Sequence, residues 1–429
     1  MVRGRPLEYP ARVPESVLSA TTHSDTATVE EIRSHFPAME RRHHGHPVAY
    51  FDGPGGTQVP QSVTAAVSRH LLHHNANCHW AFPTSVETDA ALLAARTALA
   101  DLLGGRASEI SFGPNMTTLT FHLGRALGRG WEPGDEVVVT ELDHHANIDP
   151  WRAVARERDL EIRSVPFDVE TGQLEMNALE EVLSSRTRLV AVGAASNALG
   201  TINDVARVVE LARGVGARVF VDAVHSAPHV LTDVAALGCD FLACSAYKFY
   251  GPHVGILWGR QDLMESLDVP KLEPAPEGTP FRFETGTQNH EGIVGAAAAV
   301  DFLASLAPGP DRRSRLARVH ECLHARGRQL LERLWSGLQS LGRVRLYGPP
   351  PNAARTPTLS FAVDAHTAVE VARTLADRGV FVSHGDFYAL TVARRLGHAE
   401  DGLVRAGCAC YTTTEEIDRL VEGVASLDH

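Results

Sequence analysis

Hydrophobic and polar positions along this chain switch between two periods. Short continuous apolar runs recur at 136–142 (EVVVTEL), 188–196 (RLVAVGAAS), 218–224 (RVFVDAV), 240–246 (DFLACSA) and 254–259 (VGILWG). Runs of that length without polar alternation predict strands covered on both faces, as in a parallel sheet. Between them lie stretches of helical period, such as VARVVELARGVG at 205–216. The alternation predicts an α/β fold whose mostly parallel central sheet carries helices on both faces. A helix is expected at 29–39, ahead of the first strand. A helix rich in small residues, EGIVGAAAAVDFLASL, covers 291–306 and stops before the APGPD break at 307–311. Arg-rich helices fill 312–341. TPTLSFAV, GVFVSHG and LVRAGCACY then alternate with further helices, the pattern of a second, smaller α+β domain. The expected organisation is a flexible tail at 1–28, a segment at 29–49 packing with the small domain, a large domain at 50–306 and a small C-terminal domain at 307–429.

Composition removes several function classes. Acidic residues outnumber basic ones, 52 to 40, for a net charge of −12, and no basic stripe exists to hold nucleic acid. No apolar run approaches the roughly 20 residues of a membrane span, so no membrane partner and a cytoplasmic location are expected. Six cysteines are too few for a disulfide framework at 429 residues, and no paired CxxC motifs suggest structural zinc. Packed free thiols are expected instead, with Cys239 and Cys244 flanking one strand and Cys408 and Cys410 alternating along another. The basic residues are sharper evidence, since only Lys248 and Lys271 are lysine and all others are arginine. Lysine can lose its proton and become a nucleophilic amine, whereas arginine stays charged. Lys271 lies in a Pro-rich loop and reads as a surface residue. Lys248 lies between two apolar runs.

In an open parallel sheet, functional groups collect at the carboxyl ends of strands. Asp222 ends one run, with His225 close behind. Ser245, Tyr247 and Lys248 follow the next, and His144–His145 follow a third. Together they form the set that pyridoxal phosphate (PLP) requires: an amine, an acid for the pyridine nitrogen, and a flat ring. The segment SFGPNMTTLTFHLG at 111–124 turns into an amphipathic helix whose first amides and Thr117 hydroxyl form an anion cradle.

With these residues in place, the sequence resembles the class V aminotransferase group of fold-type I PLP enzymes, especially the cysteine desulfurase branch. The resemblance is carried, in order, by YFDGPGGTQVP, NANCHWAFPTS, LDHHANIDPW, SNALGTI, FVDAVHSAPH, CSAYKFYGPHVGIL, RFETGTQNHEGI and VRAGCACYTT. It implies that Lys248 is the Schiff-base lysine, that Asp222 pairs with the pyridinium nitrogen, and that His144 stacks on the ring, with His145 as its substitute. It implies a phosphate site at Thr117, Ser245 and the amides near Asn115 and Met116. His225 stands where the family's Gln lies near the cofactor's phenolic oxygen, and Tyr247 replaces the His before the lysine. Asn197 and Arg405 look like the substrate-carboxylate contacts. The substrate side chain is expected among Gly55, Gly56, His79, Trp80, Phe387 and Tyr388. Thr287 resembles the residue that reaches the partner subunit's phosphate, which implies a homodimer with shared active sites.

One departure bears on the reaction. The desulfurase cysteine aligns with Tyr388, preceded by Asp386 and Phe387, and a phenol cannot replace a thiolate nucleophile. The expected activity is therefore C–S β-elimination on a small-molecule substrate, an amino acid or a cysteine S-conjugate, in specialised metabolism. Epimerisation, transamination, decarboxylation with oxidative deamination, and true desulfuration stay open, as does a non-catalytic binding role. A second cluster, His70, His73, His74, Cys78 and His79, has a one-turn His70–His74 spacing that suits a metal. The nearby sequence offers no acid to complete a shell, and no metal is expected.

Overall fold

A computed structural model describes residues 26–427, so the tail expected at 1–28 lies almost wholly outside the described residues. After a short helix at Val29–Ser34 come α1 (Gln61–His73) and α2 (Pro83–Leu103), then β1 (Ile110–Gly113) and α3 (Met116–Gly128). Next come the strands β2 (Glu136–Thr140), β3 (Glu161–Val165), β4 (Thr187–Gly193), β5 (Arg218–Asp222), β6 (Phe241–Ser245) and β7 (Gly255–Gly259). They form one sheet in the order β1-β7-β6-β5-β4-β2-β3. All neighbours run parallel except β7, which is antiparallel to both β6 and β1. This is the α/β arrangement with a mostly parallel central sheet expected from the sequence.

The apolar runs are continuous because both faces of the sheet are buried. Val138, Val190, Val192, Val219, Val221, Leu242 and Cys244 point into one core with α2 and α4 (His290–Ser305). Val137, Val139, Leu189, Ala191, Phe220, Phe241 and Leu257 point into the other, against α3 and Trp151. Each such fully buried Val, Leu or Phe contributes about 1.5–3 kcal/mol. The 28-residue α5 (Arg312–Gln339) leads to a second sheet. Its strands are β8 (Val344–Tyr347), β9 (Thr358–Val363), β10 (Ser383–Gly385) and β11 (Leu403–Gly407), antiparallel in the order β8-β9-β11-β10. Leu330, Leu331, Leu334 and Leu338 of α5 pack on Phe361, Val404 and the helix Thr414–Ala425. Ala49–Tyr50 pairs in parallel with Val380–Phe381, joining the N-terminal segment to this layer.

Two local expectations are corrected. The helix foreseen at 29–39 ends at Ser34 and continues as a 3-10 turn, Pro37–Glu40, because proline has no N–H for an α-helical bond. The strand in LVRAGCACY stops at Gly407, so Cys408 and Cys410 do not alternate along it. There the Gly407 amide donates to the Phe51 carbonyl and the Cys408 amide to the Pro357 carbonyl, which draws the backbone out of the sheet. All six thiols are free. Among the described residues, no helix is long and apolar enough to cross a membrane.

Candidate active site

Because β2, β4, β5 and β6 run parallel, their carboxyl ends share one edge, and β7 begins there. Gly255, first in β7, is required at that edge: a Cβ would lie 2.4 Å from the Asn115 carbonyl carbon. Its absence lets the start of α3 close over the strand ends. Asn115 caps α3 by accepting the Thr118 amide at 2.8 Å, and the Met116 amide donates to Ser245 Oγ at 3.0 Å. Thr117, between them, lines the cavity. Gly193 has a related duty, since a Cβ there would meet Asp143 Oδ1 at 2.4 Å.

Asp222 ends β5 almost fully buried and accepts the Val224 amide at 2.8 Å. Lys248 lies in the 3-10 turn after β6 and donates to the carbonyls of Pro54 and, at 3.0 Å, Gly55. His144 Nδ1 accepts the Ala146 amide at 2.9 Å, which leaves the ring proton on Nε2 when the ring is neutral. Its ring stacks on Tyr388, centroids 5.5 Å apart at 24°. His145 is tied aside, Nδ1 to Asp149 at 2.9 Å. His225 Nε2 lies 3.0 Å from Thr356 Oγ1 and 3.2 Å from Thr358 Oγ1. Arg405, on β11, is buried and donates from Nη1 to the Asn197 carbonyl at 2.9 Å. The inner cavity opens into a cleft of about 650 Å³ lined by Gly55, Phe121, His144, Asn197, Lys248, Phe387, Tyr388 and Arg405 among others.

Burial sets the charges. The Lys248 ammonium is pushed down to about 7, by desolvation first and the Arg405 charge second. Asp222 is pushed up to about 6 by desolvation, against the Val224 hydrogen bond and the Lys248 charge. Desolvation with the Lys248 and Arg405 charges brings His144 down to about 4, and burial holds His225 neutral. Near pH 7 the site therefore offers a half-unprotonated amine, a carboxylate and a flat uncharged ring.

This donor set fits the cofactor inferred from sequence. Polar atoms that line the cleft lack partners: Arg405 Nε and Asn197 Oδ1 are buried without a hydrogen bond. Residues 49–420 match the family described as Aminotransferase class-V. The chain belongs to that family. Its members are PLP-dependent enzymes. The chain is 33% identical to the cysteine desulfurase of Dickeya dadantii (strain 3937) over 412 residues, covering 92% of this chain and 96% of the relative. It is 33% identical to the cysteine desulfurase of Klebsiella pneumoniae (strain 342), covering 93% and 98%. Among solved structures, the apo cysteine desulfurase of Thermococcus onnurineus NA1 superposes with a TM-score of 0.82 at 28% identity, covering 92% and 96%. The Escherichia coli cysteine desulfurase CsdA in its S-sulfonic acid form gives 0.80 at 26%, covering 92% and 97%.

The fold brings together Lys248, Asp222, His144, Asn115, Met116, Thr117, Ser245, His225, Asn197, Arg405, Gly55 and Tyr388. Gly56 sits just outside, where a Cβ would meet the Tyr247 ring at 3.3 Å. Within one chain, His79, Trp80 and Thr287 do not line the cleft. His79 and Thr287 line a separate apolar groove of about 810 Å³ beside α2, and Trp80 is 61% exposed. The His70–His79 histidines do not converge: His74 bonds Glu87 at 2.6 Å, His79 bonds Asp89 at 3.1 Å, and Cys78 lies 3.6 Å from His290 Nε2. Sequence reading overlooked Asp143, a cavity-lining acid pushed up to about 8 by burial and by Asp222. Its position immediately before the His pair was the available signal.

Proposed function

We propose that this chain is a PLP-dependent C–S lyase that releases a thiol from a cysteine S-conjugate by β-elimination. One observation carries the reading. Phe387 and Tyr388 occupy the loop where, by resemblance, a desulfurase keeps its thiol, and none of the residues lining the cavity or cleft is a cysteine. When bound, PLP supplies an aldehyde that condenses with amines and a ring that withdraws electrons from the attached carbon. The rest falls to the protein. Lys248 Nζ, with its value near 7, serves as nucleophilic amine and then as the base that takes the Cα proton. Asp222 keeps a proton on the ring nitrogen, and His144 supplies an uncharged stacking face. Asn115, Met116, Thr117 and Ser245 hold the phosphate at the start of α3, where the helix dipole favours an anion. His225, held by Thr356 and Thr358, would face the cofactor's phenolic oxygen, as the resemblance implies.

Asn197 and Arg405 orient the substrate carboxylate, Arg405 through its planar fork. Gly55 leaves room beside the Arg405 guanidinium, where a Cβ would lie 3.7 Å from Nη2, Gly56 lies against the Tyr247 ring just outside, and Tyr388 packs on the sulfur-bearing group. As the Cα proton moves to Lys248, the Cβ–S electron pair leaves with sulfur. The net reaction converts conjugate and water to thiol, pyruvate and ammonia. The large domain (50–306) carries the cofactor, and the small domain (307–429) closes the cleft. His79, Trp80 and Thr287 serve the second subunit of a homodimer.

The rival reading is cysteine desulfuration, favoured by the names of the relatives. Incubating holoenzyme with cysteine and with S-aryl and S-alkyl cysteines, followed by mass spectrometry, separates the two. Thiol with equimolar pyruvate supports the lyase. Stoichiometric alanine from cysteine defeats it, because sulfur must then have a protein acceptor.

A further inference from the structure

We infer that Phe387 competes with the substrate carboxylate for its anchor, so that this residue sets which amines gain the site. The inference rests on the reading above that Asn197 and Arg405 hold the carboxylate. Both groups are already engaged by one residue. Asn197 Nδ2 donates to the Phe387 carbonyl at 2.9 Å, and the Arg405 guanidinium carbon lies 4.2 Å from the centre of the Phe387 ring. Arg405 is 4% exposed, and its Nε has no partner. A buried guanidinium capped by a ring face and short of acceptors is a site that a carboxylate improves. Paired N–H···O bonds to an anion are stronger than a cation–π contact.

The loop is also held in a form ready to give way. Phe387 and Tyr388 both adopt left-handed backbone, φ +58° and +56°, which is disfavoured for bulky side chains. Among the contacts that hold it are the Asn197 bond, the His145 amide donating to the Tyr388 carbonyl at 2.7 Å, the Tyr388 amide donating to Asp386 Oδ1 at 2.9 Å, and the Tyr388 ring stacked on His144. Tyr388 is 74% exposed, so a shift of the loop uncovers little of its surface beyond the face stacked on His144. Phe387 is half-buried against the cluster of Leu142, Leu199 and Leu403. An arriving carboxylate replaces both Phe387 contacts and allows the strained pair to relax. An amine without a carboxylate leaves the loop closed.

The opposite role, a fixed platform on which the carboxylate rests, predicts the opposite sign. The test titrates holoenzyme with L-alanine, which has no leaving group, and with ethylamine, which lacks the carboxylate, reading the cofactor's absorbance. Phe387→Ala should tighten L-alanine by about two- to thirtyfold, the worth of a cation–π contact, and leave ethylamine unchanged. Phe387→Leu, which keeps bulk but loses the ring, should shift the same way by less, and it decides the matter if the alanine variant does not fold. Hydrogen exchange across residues 384–390 should rise when wild-type enzyme binds L-alanine. Weakened or unchanged L-alanine binding in both variants overturns the inference if Arg405→Gln still abolishes the preference for L-alanine over ethylamine. If wild-type enzyme shows no such preference and Arg405→Gln changes nothing, the carboxylate assignment itself falls, and the inference with it.

Discussion

Lys248 should titrate near neutral pH, and the chain permits a direct measurement because it holds only one other lysine, Lys271. Its ammonium is lowered from 10.5 to about 7, first by burial and then by the Arg405 charge, while Asp222 and Asp52 pull the other way. At pH 7 about half of the amine is then unprotonated, against roughly 3 in 10⁴ for a solvated lysine, a roughly 1,500-fold difference. The perturbation is pH, applied to cofactor-free protein labelled with a small acylating reagent and read at the Lys248 peptide by mass spectrometry. Labelling should rise to half-maximum at about pH 7. Burial slows the reagent equally at every pH, so it lowers the plateau without moving the midpoint. Removing the second cause, in Arg405→Gln, should move the midpoint up because a repelling cation is gone. Asp222→Asn should move it down because an anion that stabilises the ammonium is gone. A wild-type midpoint above about pH 9 would mean that Nζ is solvated, and the account of the nucleophile would be wrong.

Three further outcomes are expected. Asp222→Ala should lower turnover by roughly 10²–10⁴-fold, since nothing then fixes the proton on the ring nitrogen, and a loss under about tenfold would assign that task elsewhere. Tyr388→Phe should change turnover by less than about threefold because the exposed ring acts by packing, and a loss near 10²-fold would make its hydroxyl an acid. Light scattering should find twice 46.3 kDa for the active enzyme, and Leu93→Asp, at a 61% exposed position in the separate groove, should yield inactive single chains. A fully active single chain would refute shared active sites.

Much of the chemistry was legible in the residues because period and position constrain each other. Strands buried on both faces must read as unbroken apolar runs, so β2 and β4–β7 were visible, and Asp222 and Lys248 had to fall at their ends. Lys248 stood out further because every other basic residue except Lys271 is arginine, and only lysine can become a neutral amine. Local sequence could not place groups that meet across long separations. That Lys248 reaches the Pro54 and Gly55 carbonyls, that His225 is held by Thr356 and Thr358, and that Phe387 covers Arg405 all depend on how the two sheets pack. The same packing strips water from the amine and lowers its proton affinity, an effect of burial that no spacing encodes. It also carries His79 and Thr287 to a face away from their own cleft. Residue type thus determined which groups could do PLP chemistry, while tertiary structure decided their charge and their neighbours, because desolvation and contact arise only when distant segments close on one another.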